Sequence, residues 1–148
     1  MKVIFGADHR GFSLKTSLLQ ELQHKHTVVD LGTNTADTSD DYPDIAKKVG
    51  EEVQSSQDFR GVVLCGSGAG VDIVANKIKG IRCCLALNRE QVIAARKDDN
   101  INVLALAADF TDTEHALTFV HAFLDTPFEP TQSHIRRLEK ITAIEEHA

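Results

Sequence analysis

Short apolar runs alternate with amphipathic stretches along the whole chain. The apolar runs are Lys2–Phe5, Thr27–Leu31, Val62–Cys65, Arg82–Leu87 and Asn102–Ala107. Runs of this length that are rich in Val, Ile and Leu predict buried strands, and the stretches between them carry apolar residues at helical spacing. Strands that alternate with helices favour a parallel sheet covered on both faces. The pattern therefore predicts an α/β fold, a three-layer Rossmann-like sandwich around a five-stranded parallel sheet.

The helices are predicted from one-sided apolar spacing and from end signals. The apolar positions are Leu14, Leu18 and Leu22 in the first helix, Ala46, Val49 and Val53 behind Pro43 in the second, and Val71, Val74, Ala75 and Ile78 in a third that ends at Gly80. A fourth helix covers Glu90–Lys97, and Thr111 with Glu114 suggests a capping box ahead of the fifth. A last helix, Gln132–Glu146, has no strand ahead of it. We expect that helix to pack on a partner subunit.

Composition narrows the class of protein. The 148 residues form one predicted domain, 1–148, and the net charge of −6 argues against a nucleic-acid partner. No apolar run approaches the length of a membrane span, and the opening residues are too quickly polar for a signal peptide. Three cysteines make no disulfide framework, so a cytoplasmic location is expected. The seven histidines show no metal-ligand spacing, and no metal is predicted.

The segment Cys65–Gly70 carries the strongest chemical signal. A buried strand ends at a thiol and is followed by Gly66-Ser67-Gly68-Ala69-Gly70 at the start of a helix. Small residues let backbone N–H groups surround an anion, and amides next to a thiol favour its ionised form. The glycine spacing differs from that of dinucleotide sites, and the next strand lacks the acidic residue expected for ribose. The segment combines a possible base with a possible oxyanion site, although an unreactive core thiol is the alternative.

Two other polar segments follow or precede predicted strands. Asp8-His9-Arg10 follows the first strand at the edge where ligands bind in such sheets, although a capping aspartate is the plain alternative for Asp8. Asp98-Asp99-Asn100 precedes the fifth strand and is either a polar loop or part of a site. Arg136 and Arg137 on the last helix are surface charges by default, but a guanidinium suits phosphate.

Several motifs together resemble the ribose-5-phosphate isomerase B family, which includes galactose-6-phosphate isomerase subunits. They are Gly6-Ala7-Asp8-His9-x-Gly11-Phe12, Asp41-Tyr42-Pro43, Cys65-Gly66-Ser67-Gly68-x-Gly70, Ala75-Asn76-Lys77, Gly80-Ile81-Arg82, Asn102-Val103-Leu104 and Ile141–Glu145. The resemblance implies a homodimer or tetramer with the active site at the subunit interface. It also implies cofactor-free interconversion of an aldose and a ketose, with ribose 5-phosphate as the default substrate of a pentose phosphate pathway enzyme.

The resemblance assigns roles to individual residues. Cys65 is the expected base, Ser67 and the amides of Gly66, Gly68, Ala69 and Gly70 hold the enediolate oxygen, and Asp8 helps to open the sugar ring. The other expected substrate contacts are His9, Arg10, Tyr42, Asp99, Asn100, His134 and Arg137. Some relatives use a glutamate at the position of Val71 as the base, which makes Asp72 a minor candidate here.

The chain departs from the family pattern at three positions. Asp98 stands where the family has a ring-opening histidine, so Asp98 is the expected catalytic residue there, and Asp109 and Ser133 stand where it has arginines. Losing two charge-assisted hydrogen bonds could remove roughly 3–6 kcal/mol of phosphate binding. The motifs therefore support the isomerase chemistry more strongly than they support ribose 5-phosphate as the substrate.

Other functions stay open. One is isomerisation of a different four- to six-carbon sugar, phosphorylated or not, and another is a non-catalytic partner subunit of a hetero-oligomeric isomerase. A signalling receiver would need an acceptor aspartate at the end of the third strand, where Cys65 stands. A nicotinamide-dependent oxidoreductase disagrees with the glycine spacing.

Overall fold

The computed structural model describes residues 1–148 and contains five strands and six helices. The strands are β1 (Lys2–Ala7), β2 (Thr27–Asp30), β3 (Phe59–Cys65), β4 (Cys83–Leu85) and β5 (Val103–Ala107). The helices are α1 (Phe12–Leu22), α2 (Tyr42–Gln54), α3 (Ala69–Ala75), α4 (Arg89–Asp99), α5 (Thr113–Asp125) and α6 (Gln132–Glu146). None of these helices combines the length and apolarity needed to cross a membrane.

All five strands are parallel and lie in the order β2-β1-β3-β5-β4. Alternate side chains of each central strand face opposite layers, as the pleat requires. Helices α1, α4 and α5 cover one face of the sheet, and α2 and α3 cover the other. In β3, Leu64 belongs to the first layer and Cys65 to the second. The predicted three-layer α/β sandwich is confirmed.

The third helix ends earlier than its apolar spacing predicts. It stops at Ala75, and the chain reaches Gly80 through turns rather than through a continued helix. The Asn76 side chain accepts from the Cys83 N–H at 2.8 Å and donates to the Cys83 carbonyl at 3.0 Å. Asn76 therefore satisfies the backbone groups at the outer edge of β4. A longer helix would have carried this side chain away from the sheet.

The predicted capping box at the start of α5 is wrong. The cap is Asp112, which accepts from the His115 backbone N–H at 2.8 Å, and the helix begins at Thr113. Asp112 also bonds the His115 ring nitrogen Nδ1 at 2.8 Å. One carboxylate thus satisfies two donors, which the Thr111 hydroxyl cannot do.

The last helix has the predicted bounds and is the least embedded element. Thr131 caps it by accepting from the His134 N–H at 3.2 Å, and none of its residues is buried. Its C-terminal end is attached to the rest of the chain by Glu145, which accepts from the Gly80 N–H at 3.1 Å. Ile135, Ile141 and Ile144 remain exposed. Packing of this helix on a partner subunit stays a prediction.

A buried lysine connects α1 to the end of β2. The Lys15 side chain is 1% exposed and donates to both carboxylate oxygens of Asp30 at 2.8 Å. It also donates to the Thr33 carbonyl at 2.6 Å, at the start of the long loop toward α2. A buried ammonium needs such partners because its desolvation is costly. The ion pair therefore fixes where this loop leaves the sheet.

We predict that Asp30→Ala destabilises the fold more than Lys15→Met does. Removing Asp30 leaves a buried charge uncompensated, which costs about 3 kcal/mol. Replacing the lysine with an apolar side chain of similar length costs less, because the remaining Asp30 carboxylate is 29% exposed and can be hydrated. Urea unfolding measures both free energies of unfolding. Equal losses, or a larger loss for Lys15→Met, would contradict this role of the ion pair.

Candidate active site

The carboxyl ends of β1 and β3 lie side by side because these two strands pair directly. The Asp8 N–H extends the ladder by donating to the Leu64 carbonyl at 3.2 Å. Strand order reverses here, since β1 leads outward to β2 and β3 begins the other half of the sheet. A crevice at such a reversal is the usual ligand position in open α/β sheets. Asp8 and Cys65 therefore approach one site from adjacent strands.

The Asp8 carboxylate is buried and takes part in local structure. Its Oδ1 accepts from the backbone N–H groups of Arg10 and Gly11, both at 3.0 Å. The residue is 5% exposed. Oδ1 thus holds the turn before α1 and does not cap the helix, whose N-cap is Gly11 without a side-chain hydrogen bond, so the capping interpretation of Asp8 is wrong. The sugar contact predicted for Asp8 has to use Oδ2.

His9 is held by a residue that the sequence did not single out. Its Nδ1 lies 2.7 Å from Oδ1 of Asp40, in the loop before α2. This hydrogen bond is the largest cause of a raised pKa at His9, which favours the imidazolium form. Oδ2 of Asp40 is buried without a hydrogen-bond partner. Asp40 therefore orients His9 and favours its positive charge.

Arg10 lies across the glycine loop. Its guanidinium forms an ion pair with Asp109, which follows β5. The same guanidinium is so close to Gly66 that a Cβ at this position would lie 2.4 Å from Cζ of Arg10. The repulsion expected from Asp109 is therefore offset within the chain, and a cation is held beside the candidate oxyanion site.

The glycine loop needs a left-handed residue at its centre. Gly68 has φ of 73°, and a Cβ there would lie 2.5 Å from Cδ1 of Leu85. The Ala69 N–H donates to the Ser67 hydroxyl at 3.3 Å, and Ser67 is exposed. The Gly66 carbonyl accepts from the Asp109 N–H at 3.0 Å, which ties the loop to the end of β5.

Tyr42 packs directly on this loop. A Cβ at Gly70 would lie 2.6 Å from Cε2 of the Tyr42 ring, so the ring can cover the loop only because residue 70 lacks a side chain. The Tyr42 residue is 39% exposed. The tyrosine at the start of α2 and the glycines at the end of β3 thus form one surface.

The Cys65 thiol lies at the inner end of this arrangement. The residue is 5% exposed and belongs to the apolar cluster between the sheet and helices α2 and α3. A sugar therefore reaches it only from the carboxyl edge of the sheet. On the far side of the loop, Ser67 also borders a cleft of about 480 Å³ whose walls include Leu85 and Phe110.

Asp72 lies apart from this thiol. Its side chain hydrogen-bonds Cys83, and burial raises its pKa. The Asn76 amide contacts Oδ1 of Asp72 at 3.3 Å. Val71 is fully buried. These contacts direct Asp72 toward β4, so Cys65 remains the better candidate for the base.

The remaining predicted site residues lie at the opposite edge of the sheet. Asp98 and Asp99 end α4, and Oδ1 of Asp98 lies 3.6 Å from Nε2 of His134. Asn100 caps α4 in a left-handed conformation with φ of 47°. Arg137 is exposed on α6. A five-residue strand spans about 16 Å, so β5 separates this group from the glycine loop.

Comparison with known proteins gives the family. A family model described as Ribose/Galactose Isomerase matches residues 3–141. The probable ribose-5-phosphate isomerase B of Mycoplasma genitalium is 38% identical, over 97% of this chain and 95% of that protein. This chain belongs to the Ribose/Galactose Isomerase family.

Solved structures of family members superpose closely. Ribose-5-phosphate isomerase B from Mycoplasma genitalium, crystallised with bound ribulose 5-phosphate, matches with a TM-score of 0.94 and 37% identity over 99% of this chain and 97% of that one. The type B enzyme from Trypanosoma cruzi matches with a TM-score of 0.95 and 34% identity over the full length of both chains. The resemblance inferred from the motifs is therefore confirmed.

Two positions where the family resemblance leads us to expect arginine are Asp109, paired with Arg10, and Ser133, whose hydroxyl bonds that of Thr131 at 3.1 Å. The residue that sequence reasoning missed is Asp40, the hydrogen-bond partner of His9. No short-range pattern marks Asp40, because it lies 31 positions from His9.

We predict that Asp40→Asn lowers the pKa of His9. The carboxylate hydrogen bond raises this pKa, so protonated His9 stabilises the fold below the ordinary pKa of about 6.5, and that stabilisation is lost as the pH rises through the raised value. An NMR titration of the imidazole signals measures the change. His115, whose pKa is raised by Asp112, is the internal control and should not move. An unchanged His9 pKa would contradict the role of Asp40.

Proposed function

We propose that this protein is an aldose–ketose isomerase that interconverts ribose 5-phosphate and ribulose 5-phosphate. Family membership together with the juxtaposition of Asp8 and Cys65-Gly66-Ser67-Gly68 supports this function. Relatives of similar length are named as ribose-5-phosphate isomerases B, and one was crystallised with ribulose 5-phosphate. A role as a non-catalytic subunit is less well supported, because the chain retains both the thiol and the glycine loop.

The reaction moves one hydrogen within the sugar. After ring opening, the Cys65 thiolate removes the proton from C2 of the aldehyde, and the electron pair moves to O1 to give an enediolate. The thiol then returns a proton to C1, while a second proton passes from O2 to O1. The sugar is oxidised at C2 and reduced at C1, so the balance requires no external oxidant or reductant. Cys65 is positioned for this transfer because it ends a strand at the edge where the sugar binds.

The glycine loop stabilises the intermediate. Negative charge develops on O1 of the enediolate, and fixed hydrogen-bond donors aimed at developing charge are commonly the largest catalytic contribution. In this proposal, backbone N–H groups of Gly66, Gly68 and Gly70 and the exposed Ser67 hydroxyl supply those donors. Their geometry is fixed before substrate arrives, because Gly68 holds the turn and the Gly66 carbonyl is tied to β5.

Asp8 and His9 bind the other end of the sugar in this proposal. Oδ2 of Asp8 accepts a hydrogen bond from a sugar hydroxyl and assists opening of the ring. His9, whose imidazolium form is favoured by Asp40, and Arg10 offer positive charge to the phosphate. This replaces part of the attraction that the missing arginines would have provided.

We further propose that two copies of the chain complete each site. Asp98, His134 and Arg137 lie too far from Cys65 to share one sugar within a single chain, and α6 leaves apolar side chains exposed. In a symmetric pair, Asp98, His134 and Arg137 of each copy would lie against the carboxyl edge of the sheet in the other copy. The protein would then act as a homodimer, or as a tetramer of two dimers, in the cytoplasm and within the pentose phosphate pathway.

A second candidate substrate is another sugar phosphate of four to six carbons. The Arg10–Asp109 ion pair favours this possibility, because Asp109 adds a hydrogen-bond acceptor near the loop. Comparing kcat/KM for ribose 5-phosphate, allose 6-phosphate, galactose 6-phosphate and unphosphorylated ribose distinguishes the substrates.

We predict that Cys65→Ala lowers kcat for ribose 5-phosphate by about 10²–10⁴-fold, the contribution typical of a general base, while KM changes little. Exchange of the C1 proton of ribulose 5-phosphate with D₂O, followed by NMR, should fall by the same factor. Cys84→Ala is the matched control, since Cys84 lies half-buried on β4 and away from the loop, and should retain activity. Proton exchange at the wild-type rate in Cys65→Ala would overturn the assignment of the base.

We predict that two inactive variants restore each other when they are expressed together. Cys65→Ala and Arg137→Ala each disable one half of the proposed shared site. Random pairing makes half of the dimers mixed, and each mixed dimer has one intact site of two, so about a quarter of wild-type activity should return. Activity of the separately purified, unmixed variants is the control. Failure of the mixed protein to exceed that level would overturn the proposed shared site.

A further inference from the structure

A polar cavity of about 400 Å³ lies at the amino edge of the sheet, opposite the candidate active site. It opens between the end of α2, the start of β3 and the segments that precede β4 and β5. Its polar walls are formed chiefly by Gln54, Gln57, Arg60, Arg82, Asn100 and Asn102. No Asp, Glu, His or Cys lines it, which leaves the cavity without an evident acid or base for catalysis. We refer to it as the arginine cavity.

The guanidinium groups of this cavity have no carboxylate partner. Arg60 donates to the carbonyls of Gln57 and Phe59, at 2.9 and 2.8 Å. Arg82 donates to the Asn100 carbonyl at 2.9 Å and to those of Asp99 and Gly80 at longer distances. Neutral carbonyls fix both groups in place without neutralising them.

These two guanidinium groups stay unpaired although the chain carries a net charge of −6. Arg10 and Arg89 form ion pairs with carboxylates, whereas Arg60 and Arg82 form none. Two carboxylates lie near enough to attract them, since Asp58 raises the pKa of Arg60 and Glu145 raises that of Arg82. In both cases burial outweighs the attraction and lowers the pKa.

A third guanidinium stands behind the cavity wall. Arg96 is 4% exposed and donates to the Asn100 side chain at 2.9 Å. Burial and repulsion from Arg60 and Arg82 lower its pKa to about 10. The three cations thus repel one another across a short distance, and an anion placed in the cavity would relieve that repulsion.

We propose that the arginine cavity binds a small phosphorylated anion. The planar guanidinium fork matches phosphate oxygens, and two such groups face one space of the size that holds a small metabolite. Side-chain amides of Gln57 and Asn100 can bond the hydroxyl groups of an organic phosphate. The proposal depends on Arg60 and Arg82, which take no part in the proposed isomerase site, so its failure would leave the proposed isomerase function unaffected.

The test is an NMR titration of the full-length protein with inorganic pyrophosphate, with NaCl holding the ionic strength constant. The backbone amides of Gly80 and Asn102 are the reporters. We expect saturable shifts at both, with a Kd below about 1 mM. Arg60→Gln should weaken this binding at least about tenfold, as expected for loss of a charge-assisted hydrogen bond. Arg60→Lys keeps the positive charge but lacks the planar guanidinium, so its Kd should lie between those of the wild type and Arg60→Gln.

Matched variants separate this site from other anion sites. Arg89→Gln removes an exposed arginine that pairs with Glu90 and should leave the titration unchanged. Arg10→Gln alters the opposite edge and should also leave the Gly80 and Asn102 shifts unchanged. The proposal is overturned if these amides do not shift, if NaCl alone shifts them equally, or if Arg60→Gln binds as wild type does. A matching urea midpoint for Arg60→Gln shows that its fold is intact.

Discussion

Six residues of β1 pair in parallel with β3, from Lys2 opposite Phe59 to Ala7 opposite Leu64. Every feature of the candidate active site depends on this register. The pleat has a period of two, so a slip of one residue would turn the Cys65 side chain to the other face of the sheet. Side chains buried on both faces prevent such a slip, since Ile4 belongs to one apolar layer and Phe5 to the other. Packing in the core thus determines where the thiol points.

The elements that sequence reasoning predicted well are those whose signals are local. Apolar runs and helical spacing predicted five parallel strands and six helices, and the predicted bounds of α6 agree with the structure. Errors occur where the hydrogen bonds of a polar side chain, rather than the apolar spacing, decide where a helix begins or ends. Asn76 ends α3 because it bonds the edge strand β4, seven residues later in the chain. Asp112 outcompetes Thr111 as a cap because its carboxylate also bonds a histidine ring.

The same limit applies to the candidate site. Asp8 and the glycine loop could be placed from local sequence, because each directly follows a predicted strand. Their positions predicted the carboxyl edge of the sheet as the site. The pairs His9–Asp40 and Arg10–Asp109 join positions 31 and 99 residues apart, and no periodicity reveals them. For Asp109, considered alone, the expectation was repulsion of a phosphate. Its ion pair with Arg10 changes that expectation, because the carboxylate holds a cation beside Gly66 instead of facing the site unpaired.

The proposed shared site gives α6 two tasks that depend on each other. The helix buries none of its residues within its own chain, so its own packing stabilises it weakly. Glu145 fixes one end to Gly80, and the Thr131 cap defines the other end, next to His134. The position of Arg137 therefore depends on how firmly α6 is fixed. A partner subunit that covers Ile135 and Ile141 would fix the helix more firmly. Association of two copies would then both stabilise α6 and bring Arg137 to the phosphate, so substrate affinity and dimer stability would change together.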